Sequence, residues 1–417
     1  MRLLLLLLAI VISTPVRAET IAITNARLMD GDRDEPGMTI VLKDERILSV
    51  SRGGPIPSGA RIVDAAGRPV TPSLAAAATQ IGIVGIGSAE DTRDEAVTSG
   101  PAGAGFDISR AVDANDLTIQ EARAQGLASA MIYPDAGNGV FAGKGAMLHL
   151  VPGRDPVSMA DAAMFAAPSG KKAGGSRAAA WTLIRNGLTE ARRPASPANG
   201  PRDDLLDPLD IEALRPVAAG RIPLAITANR ESDIRQAIAL AKDYGIRVVV
   251  VGGAEAWRVA SALASSRIPV IIDPLDDLPF SYDAVGARRD NAAILAKAGV
   301  PIAFMVSAQG IYLSYDVGPA LREGAGIAVA NGLSRGEALR AITTAPSQVW
   351  TGRPPSGLVA GAAADLVVWD GDPLEPSSAP SRVFIAGREV SPVTRQTLLR
   401  DRYHPSRSGD ALPPAYR

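Results

Sequence analysis

Short runs of alternating apolar and polar residues occur near both ends of the chain. TIAITNARLMD, MTIVLKDERILSVSR and ARIVDAAG contain β-branched residues in partial alternation and are broken by Asp, Gly and Asn turns. The same pattern returns in ADLVVWDGD (364–372) and SRVFIAGREV (381–390). We predict one small β-sandwich built from both ends of the chain, residues 19–70 and 351–392.

The middle of the chain alternates apolar strands with amphipathic helices. From residue 221, IPLAITA, IRVVVVGG, IPVIIDP and VPIAFMVSA read as buried parallel strands, each separated from the next by a helical pattern. Residues 70–200 are less regular but contain the strand candidates MIYPD, AMLHLV and AAMFAAP and the helix SRAAAWTLIRNGLTEARR. We predict an α/β fold with a (β/α)₈ TIM-like barrel over 71–350, with an open doubly wound sheet as the alternative. Residues 194–214 read as a loop insertion with a short helix.

The first 18 residues have the pattern of a secretory signal peptide. Arg2 precedes a short apolar core, and Val16-Arg17-Ala18 resembles a cleavage site. The alternative is an uncleaved anchor, but the apolar core is short for a membrane span. We therefore expect a periplasmic or secreted protein with no membrane contact after signal removal, ending in a tail at 393–417.

The composition of the chain limits the kinds of stabilising bond and of partner that we expect. The chain has no cysteine, so core packing rather than disulfides must hold the exported protein together. The formal charge of −1 and the absence of a basic patch argue against nucleic acid as a partner.

Several stretches, in this order, carry a family resemblance. ITNARLMDGD, VDAAGRPVTPSL, ITTAPSQVWTG, SGLVAGAAADLVVWDGDPLE and VFIAGREV together resemble the metal-dependent amidohydrolase superfamily, especially its exported imidazolonepropionase-like members. The resemblance implies hydrolysis of C–N bonds in small molecules. It also implies divalent metal bound by a His-x-His on strand 1, histidines on strands 5 and 6 and an aspartate on strand 8.

This sequence departs from that pattern at every metal-binding position. The His-x-His falls on Ala78 and Gln80, the strand 5 histidine on Thr227, the strand 6 histidine at or near Gly252, and the strand 8 aspartate near Ser307. After residue 18 the chain contains only His149 and His404. We interpret His149 as a hydrogen-bonded core residue rather than a ligand, and His404 as a solvated tail residue. The sequence therefore predicts no metal ligands and no cofactor.

Carboxylates near predicted strand ends leave other chemistry open. Glu231, Asp233 and Glu255 could bind Mg²⁺ or Ca²⁺, but they also suit first helical turns, where the helix dipole favours negative charge. Asp273, with Asp276 and Asp277, either ends a strand or belongs to an acidic loop.

Other polar segments give weaker signals. Asn229, Arg230 and Glu231 form the most polar strand end, where Arg230 could bind a carboxylate or pair within the rim. The segment SAEDTRDEA, with Asp91, Arg93, Asp94 and Glu95, either lines the mouth or is a solvated loop. Ser169 and Lys172 satisfy S-x-x-K but lack its companion motifs.

Two functions follow from these observations. The first is hydrolysis of a C–N bond in a cyclic amide, dipeptide or related molecule by a site without its metal ligands. The second is a non-catalytic protein that binds a small molecule or pairs with a ligand-complete amidohydrolase, as a homo- or hetero-oligomer. The candidate ligand-binding residues at the barrel mouth are Gln80, Thr227, Asn229, Arg230, Glu231, Asp273 and Ser307.

Overall fold

A computed structural model of the chain describes residues 19–85, 89–100, 103–137, 139–194, 205–276, 278–279, 281–307, 316–354 and 356–404. The predicted signal peptide, Asp277 and the end of the predicted tail lie outside the described residues.

The described strands, in chain order, are β1 (Ile21–Asp30), β2 (Arg33–Lys43), β3 (Arg46–Arg52), β4 (Arg61–Asp64), β5 (Pro69–Pro72), β6 (Leu74–Thr79), β7 (Leu127–Ile132), β8 (Phe141–His149), β9 (Val157–Ala166), β10 (Leu224–Ala228), β11 (Val248–Gly252), β12 (Val270–Ile272), β13 (Ile302–Phe304), β14 (Leu366–Trp369), β15 (Pro380–Ile385) and β16 (Arg388–Glu389). The helices are α1 (Leu117–Ala124), α2 (Arg177–Arg192), α3 (Pro208–Ala218), α4 (Glu231–Tyr244), α5 (Ala260–Ser265), α6 (Asn291–Lys297), α7 (Val317–Ala330), α8 (Arg335–Ala341), α9 (Ala345–Thr351) and α10 (Arg395–Tyr403). In the described part of the chain, no helix has the length and apolarity required to span a bilayer.

Strands from both ends of the chain form one of two sheets. Its order is β16-β15-β14-β5-β1-β2-β3, and β4 pairs with the first half of β1. The two ends meet where β14 runs antiparallel to β5. Where the sequence predicts a β-sandwich, hydrogen bonds join these strands into a single branched sheet around its own apolar core.

The second sheet is a nearly closed barrel of eight strands in the order β6 to β13. Its ends approach each other where the Val306 N–H donates to the Ala78 carbonyl at 3.4 Å. The strand–helix alternation predicted from residue 221 is present, with α4, α5 and α6 between the strands from β10 to β13. In α4, Ile234, Ala237 and Leu240 are buried, and Gly245 ends the helix at a φ of 58°.

One strand departs from the predicted (β/α)₈ repeat. β8 runs antiparallel to both β7 and β9, whereas the other neighbouring pairs are parallel. The connections are residues 133–140 and 150–156, and in the described part of the chain neither contains a helix. Because a parallel crossover needs about a dozen residues or more, connections this short force the strand to reverse.

Aromatic side chains fill the barrel interior. The Trp350 Nε1–H, from α9, donates to the Ala77 carbonyl at 2.7 Å, and the Trp350 ring lies 5.6 Å from that of Phe165, which in turn lies 5.7 Å from Tyr133. Interior alanines leave room for these rings, among them Ala77, Ala78, Ala163, Ala225 and Ala303. Arg247, just before β11, anchors α9 through the Trp350 carbonyl at 2.8 Å. α9 is therefore fixed at the amino end of β11, and the cavity described below lies at the carboxyl ends of the strands.

Candidate functional site at the barrel mouth

A cavity of about 230 Å³ opens at the carboxyl ends of the barrel strands. Its wall combines apolar residues at or just after the ends of β11, β12 and β13 with polar side chains near the strand ends. The polar and aromatic lining residues are Tyr133, Asp135, Thr227, Asn229, Asp273, Asp276, Ser281, Arg288, Arg289, Asn291 and Ser307. Barrel enzymes place their chemistry on this face because the loops after the strands converge there.

Asp273 is the most deeply buried carboxylate of the cavity wall. It directly follows β12 and is 8% exposed. Its Oδ1 accepts the Leu275 N–H at 2.9 Å, and its Oδ2 accepts the Ser307 N–H at 2.7 Å. Burial, with a contribution from the nearby Asp276 charge, raises the pKa of Asp273 to about 6 against the opposing effect of the two N–H donors. This carboxyl group can therefore both take up and release a proton near neutral pH.

Thr227, Asn229 and Ser307 lie on the same wall as Asp273. Thr227 is the exposed residue of β10 and faces the cavity. The Asn229 Oδ1 accepts the Ala254 N–H at 3.3 Å, which fixes the orientation of the amide. Four of the seven predicted residues are thus brought together around one cavity.

Arg230 and Glu231 make contacts outside the cavity wall. Arg230 pairs with Asp283 at 2.7 Å, and Glu231 pairs with Arg235 at 2.8 Å within α4. The Glu231 N–H donates to Glu255 Oε2 at 2.8 Å, so the Glu255 side chain also has a structural contact here. These three side chains stabilise the rim and the start of α4.

Three buried polar atoms near the mouth have no hydrogen-bond partner among the described residues. They are Gln80 Nε2, Glu95 Oε2 and Asn291 Oδ1. Gln80 directly follows β6, and Asn291 lines the cavity. The backbone carbonyl of Glu95 accepts a hydrogen bond from the backbone N–H of the cavity-lining Asp135 at 2.7 Å. Unsatisfied buried groups are costly, so their concentration at this end indicates a functional site.

Sequence reasoning missed Asp135, Asn291 and the two arginines of the wall. Asp135 follows the predicted strand MIYPD, and a polar residue after an apolar strand was an available signal. Asn291 begins α6, where a helix start explains an asparagine equally well.

The remaining candidates have structural contacts. Arg93 pairs with the buried Glu95 in the segment after β6. His149 Nε2 lies 3.0 Å from Asp365 Oδ2, between the two sheets, and His404 is exposed at the end of α10. Ser169 precedes a short turn, and its N–H bonds the Ala167 carbonyl.

The donor set does not fit an imidazole-bound metal. Ala78 is fully buried among apolar side chains, and Thr227, Gly252 and Ser307 offer no imidazole or carboxylate. Within the described ranges, no three His, Cys, Asp or Glu side chains lie close enough together to share an ion. At Gly252, φ is 91° and an added Cβ would lie 2.5 Å from Asn229 Oδ1, so this position excludes any side chain without rearrangement.

Comparison with known proteins shows a shared fold. No protein-family model and no curated protein matches the sequence. An amidohydrolase from Thermotoga maritima MSB8 superposes with a TM-score of 0.78 at 23% identity, over 89% of this chain and 99% of that chain. A 5-methylcytosine deaminase from Klebsiella pneumoniae gives a TM-score of 0.57 at 15% identity, over 90% and 98%. N-isopropylammelide isopropylaminohydrolase from Burkholderia multivorans gives 0.52 at 17% identity, over 89% and 98%. The chain therefore has the fold of solved amidohydrolases.

Proposed function

We propose that the barrel mouth binds a small amide-type molecule and hydrolyses its C–N bond, with Asp273 as the proton-transfer group. The main support for this proposal is Asp273, which lines the cavity and has a pKa of about 6. A base with a pKa near the working pH is suited to general acid–base catalysis. An ordinary aspartate would be too weak a base for this role.

The reaction needs only groups that this chain supplies. Above pH 6 the Asp273 carboxylate accepts a proton from a water molecule as the water oxygen bonds to the substrate carbonyl carbon. The Thr227 hydroxyl and the Asn229 amide can donate hydrogen bonds to the carbonyl oxygen as negative charge develops on it. Protonated Asp273 then transfers the proton to the leaving nitrogen as the C–N bond breaks. The Leu275 and Ser307 N–H groups hold the carboxyl group in one orientation throughout.

The shared fold supports a C–N bond as the bond that is hydrolysed. Two of the structural neighbours are named a deaminase and an aminohydrolase, and both names denote C–N bond hydrolysis. We propose that this chain performs related chemistry without the metal ligands that the sequence resemblance implies, because its strand ends lack the donor set.

The test is hydrolysis of a panel containing hydantoin, dihydrouracil, N-acetylalanine and alanylalanine, after dialysis against EDTA. We expect turnover of at least one compound, with a rate that rises through about pH 6 and a loss of about 10²-fold or more in Asp273→Asn. Asp210→Asn is the matched control, since Asp210 is also buried, has a pKa raised by burial and accepts two backbone N–H groups, from Gly103 and Gly105. Turnover that survives in Asp273→Asn, or that disappears with EDTA and returns with zinc, would refute the proposal.

A second candidate is a non-catalytic binding protein. It is favoured by the same strand ends, which supply polar hydrogen-bonding groups but, at the positions where the resemblance expects ligands, no metal donors. In that case calorimetry with the same panel gives saturable binding, no product forms, and Asp273→Asn weakens the binding. Co-purification with a histidine-complete amidohydrolase would support the subunit form of this role.

A further inference from the structure

A short segment after β12 forms one wall of the cavity with little apolar packing of its own. We call residues 281–287 the rim segment; Ser281, Ala284 and Ala287 in it line the cavity. Its larger side chains point outward, with Tyr282 90% and Val285 62% exposed. A surface segment that buries so few apolar groups needs other contacts to hold its position.

Asp283 supplies such contacts on the outer side of the rim segment. Its Oδ1 lies 2.7 Å from Arg230 Nη2, and its Oδ2 accepts a hydrogen bond from Arg177 Nη2. Arg177 is the first residue of α2, and Arg230 directly precedes α4. Each oxygen of this carboxylate is therefore tied to the start of a different barrel helix.

The cationic side of this junction is itself fixed. Arg177 Nη1 also donates to Asp233 Oδ2 at 3.0 Å, and Asp233 Oδ1 accepts the buried Trp181 Nε1–H at 3.0 Å. Asp233 is 5% exposed. Arg177 consequently keeps its place when Asp283 is removed, so a substitution at Asp283 affects the rim segment rather than the helices.

Trp257 marks the other end of the rim segment. Its Nε1–H donates to the Gly286 carbonyl at 3.0 Å, and the Arg288 guanidinium lies 4.6 Å from the ring centre. A displacement of the rim segment would change the environment of this indole.

We infer that Asp283 is a positioning residue that holds the rim segment against the barrel mouth through Arg177 and Arg230. Releasing it widens the cavity and weakens retention of a small ligand. Asp273 is held separately by backbone N–H groups of residues 275 and 307, so the proton-transfer step is unaffected. The catalytic consequence rests on the proposed function; the position of the rim segment does not.

Hydrogen exchange on the ligand-free chain tests the positional claim. The Ala284 and Ala287 N–H groups bond to the Ser281 and Ala284 carbonyls, so their exchange reports opening of the rim segment. In Asp283→Asn we expect exchange over 281–287 to accelerate about three- to tenfold, in the range that loss of two partly exposed ion pairs allows. The emission wavelength of Trp257, identified by difference from Trp257→Phe, should shift in the same variant.

Asp243→Asn is the matched control. Asp243 pairs with Arg185 at 2.8 Å and joins the same two helices, α2 and α4, away from the rim segment. We expect its rim exchange to equal that of the wild type. Equal rim exchange in Asp283→Asn and Asp243→Asn would overturn the inference.

The kinetic readout separates this inference from the proposed function. With any panel compound that the wild type hydrolyses, Asp283→Asn should raise KM about three- to tenfold and leave kcat unchanged, whereas Asp273→Asn lowers kcat. A fall in kcat in Asp283→Asn comparable to that in Asp273→Asn would overturn the positioning role. If the wild type hydrolyses none of the compounds, the proposed activity fails, and the exchange result still decides the role of Asp283.

Discussion

At the level of single residues, the strand ends show how the mouth is specialised. Gly252 and Asn229 pack closely, because the side-chain oxygen Oδ1 of Asn229 occupies the space that a Cβ at Gly252 would need. Ala78 faces the interior beside the Trp350-bonded Ala77 and is fully buried. Two of the positions that the resemblance assigns to ligands, Ala78 and Gly252, are thus filled by small residues in close packing, and the buried carboxylate at this end of the barrel is Asp273, directly after β12.

Asp273 should make stability depend on pH in an unusual direction. Its pKa is raised from 3.8 to about 6 in the folded protein, so the folded state binds a proton that the unfolded state has already released between these pH values. Stability should therefore fall as pH rises from about 4 to 6. Relative to the wild type, Asp273→Asn should gain about 2–3 kcal/mol in unfolding free energy over this range, measured by urea denaturation. The exposed Asp243→Asn variant serves as the control, and a constant difference between wild type and Asp273→Asn across this range would contradict the expectation.

Restoring the first histidine pair should not restore a metal centre. An imidazole at Ala78 overfills a packed interior, and Thr227, Gly252 and Ser307 still provide no further ligands. We expect Ala78→His/Gln80→His to bind zinc no more tightly than the wild type in a chelator competition assay, with folding checked by circular dichroism. Nanomolar zinc affinity in a folded double variant would show that other side chains can complete the site.

At the level of elements, the sequence predicts periodic segments well and strand direction poorly. The helices α2 and α4 and the strands from β10 to β13 follow from apolar spacing and the glycines at helix ends. The segment AMLHLV reads as a strand in either direction, so only the length of its connections reveals that β8 is reversed. Asp273 could be named from its place after IPVII, but its raised pKa depends on burial in the folded chain, which no local pattern encodes.

Arg322 links α7 to the loop between β14 and β15, a contact that no sequence pattern predicts. This residue of α7 is 4% exposed, and its guanidinium donates to the Pro373, Glu375 and Ser378 carbonyls at 2.6–2.7 Å and lies 4.6 Å from the Trp369 ring centre. Arg322→Lys should lower the unfolding free energy by about 1–3 kcal/mol, because a single ammonium cannot reach all three carbonyls. Urea denaturation measures the change.

Arg335→Lys provides the matched control for that measurement. Arg335 pairs with Asp372 at 2.8 Å in the same loop, but its side chain is 46% exposed. A partly exposed ion pair of this kind contributes little to stability, so we expect the unfolding free energy of Arg335→Lys to differ from that of the wild type by less than about 0.5 kcal/mol. Similar losses in both variants would show that the buried carbonyl contacts of Arg322 are not what stabilises the loop.

At the level of the whole molecule, a histidine joins the barrel to the sheet that is built from both ends of the chain. His149 ends β8, and its ring contacts Asp365, which directly precedes β14 and also accepts the Ala386 N–H at 2.7 Å. The hydrogen bond to Asp365 raises the pKa of His149, with a smaller contribution from Glu45, while burial and Arg154 oppose it. The contact between the two sheets is therefore strongest when this imidazole is charged.

The contribution of His149 to stability should disappear as pH rises. Because its folded-state pKa is raised above the ordinary value of 6.5, the stabilisation is fully present below pH 6.5 and is lost as pH rises through the folded-state pKa. In His149→Gln, which keeps an N–H donor but carries no charge, we expect the loss of stability to be larger at pH 5.5 than at pH 9, measured by urea denaturation. His404→Gln removes the only other histidine of the chain, at an exposed position, and should show no such pH dependence. A loss that is equal at both pH values in His149→Gln would mean that the two sheets are held together without the imidazolium.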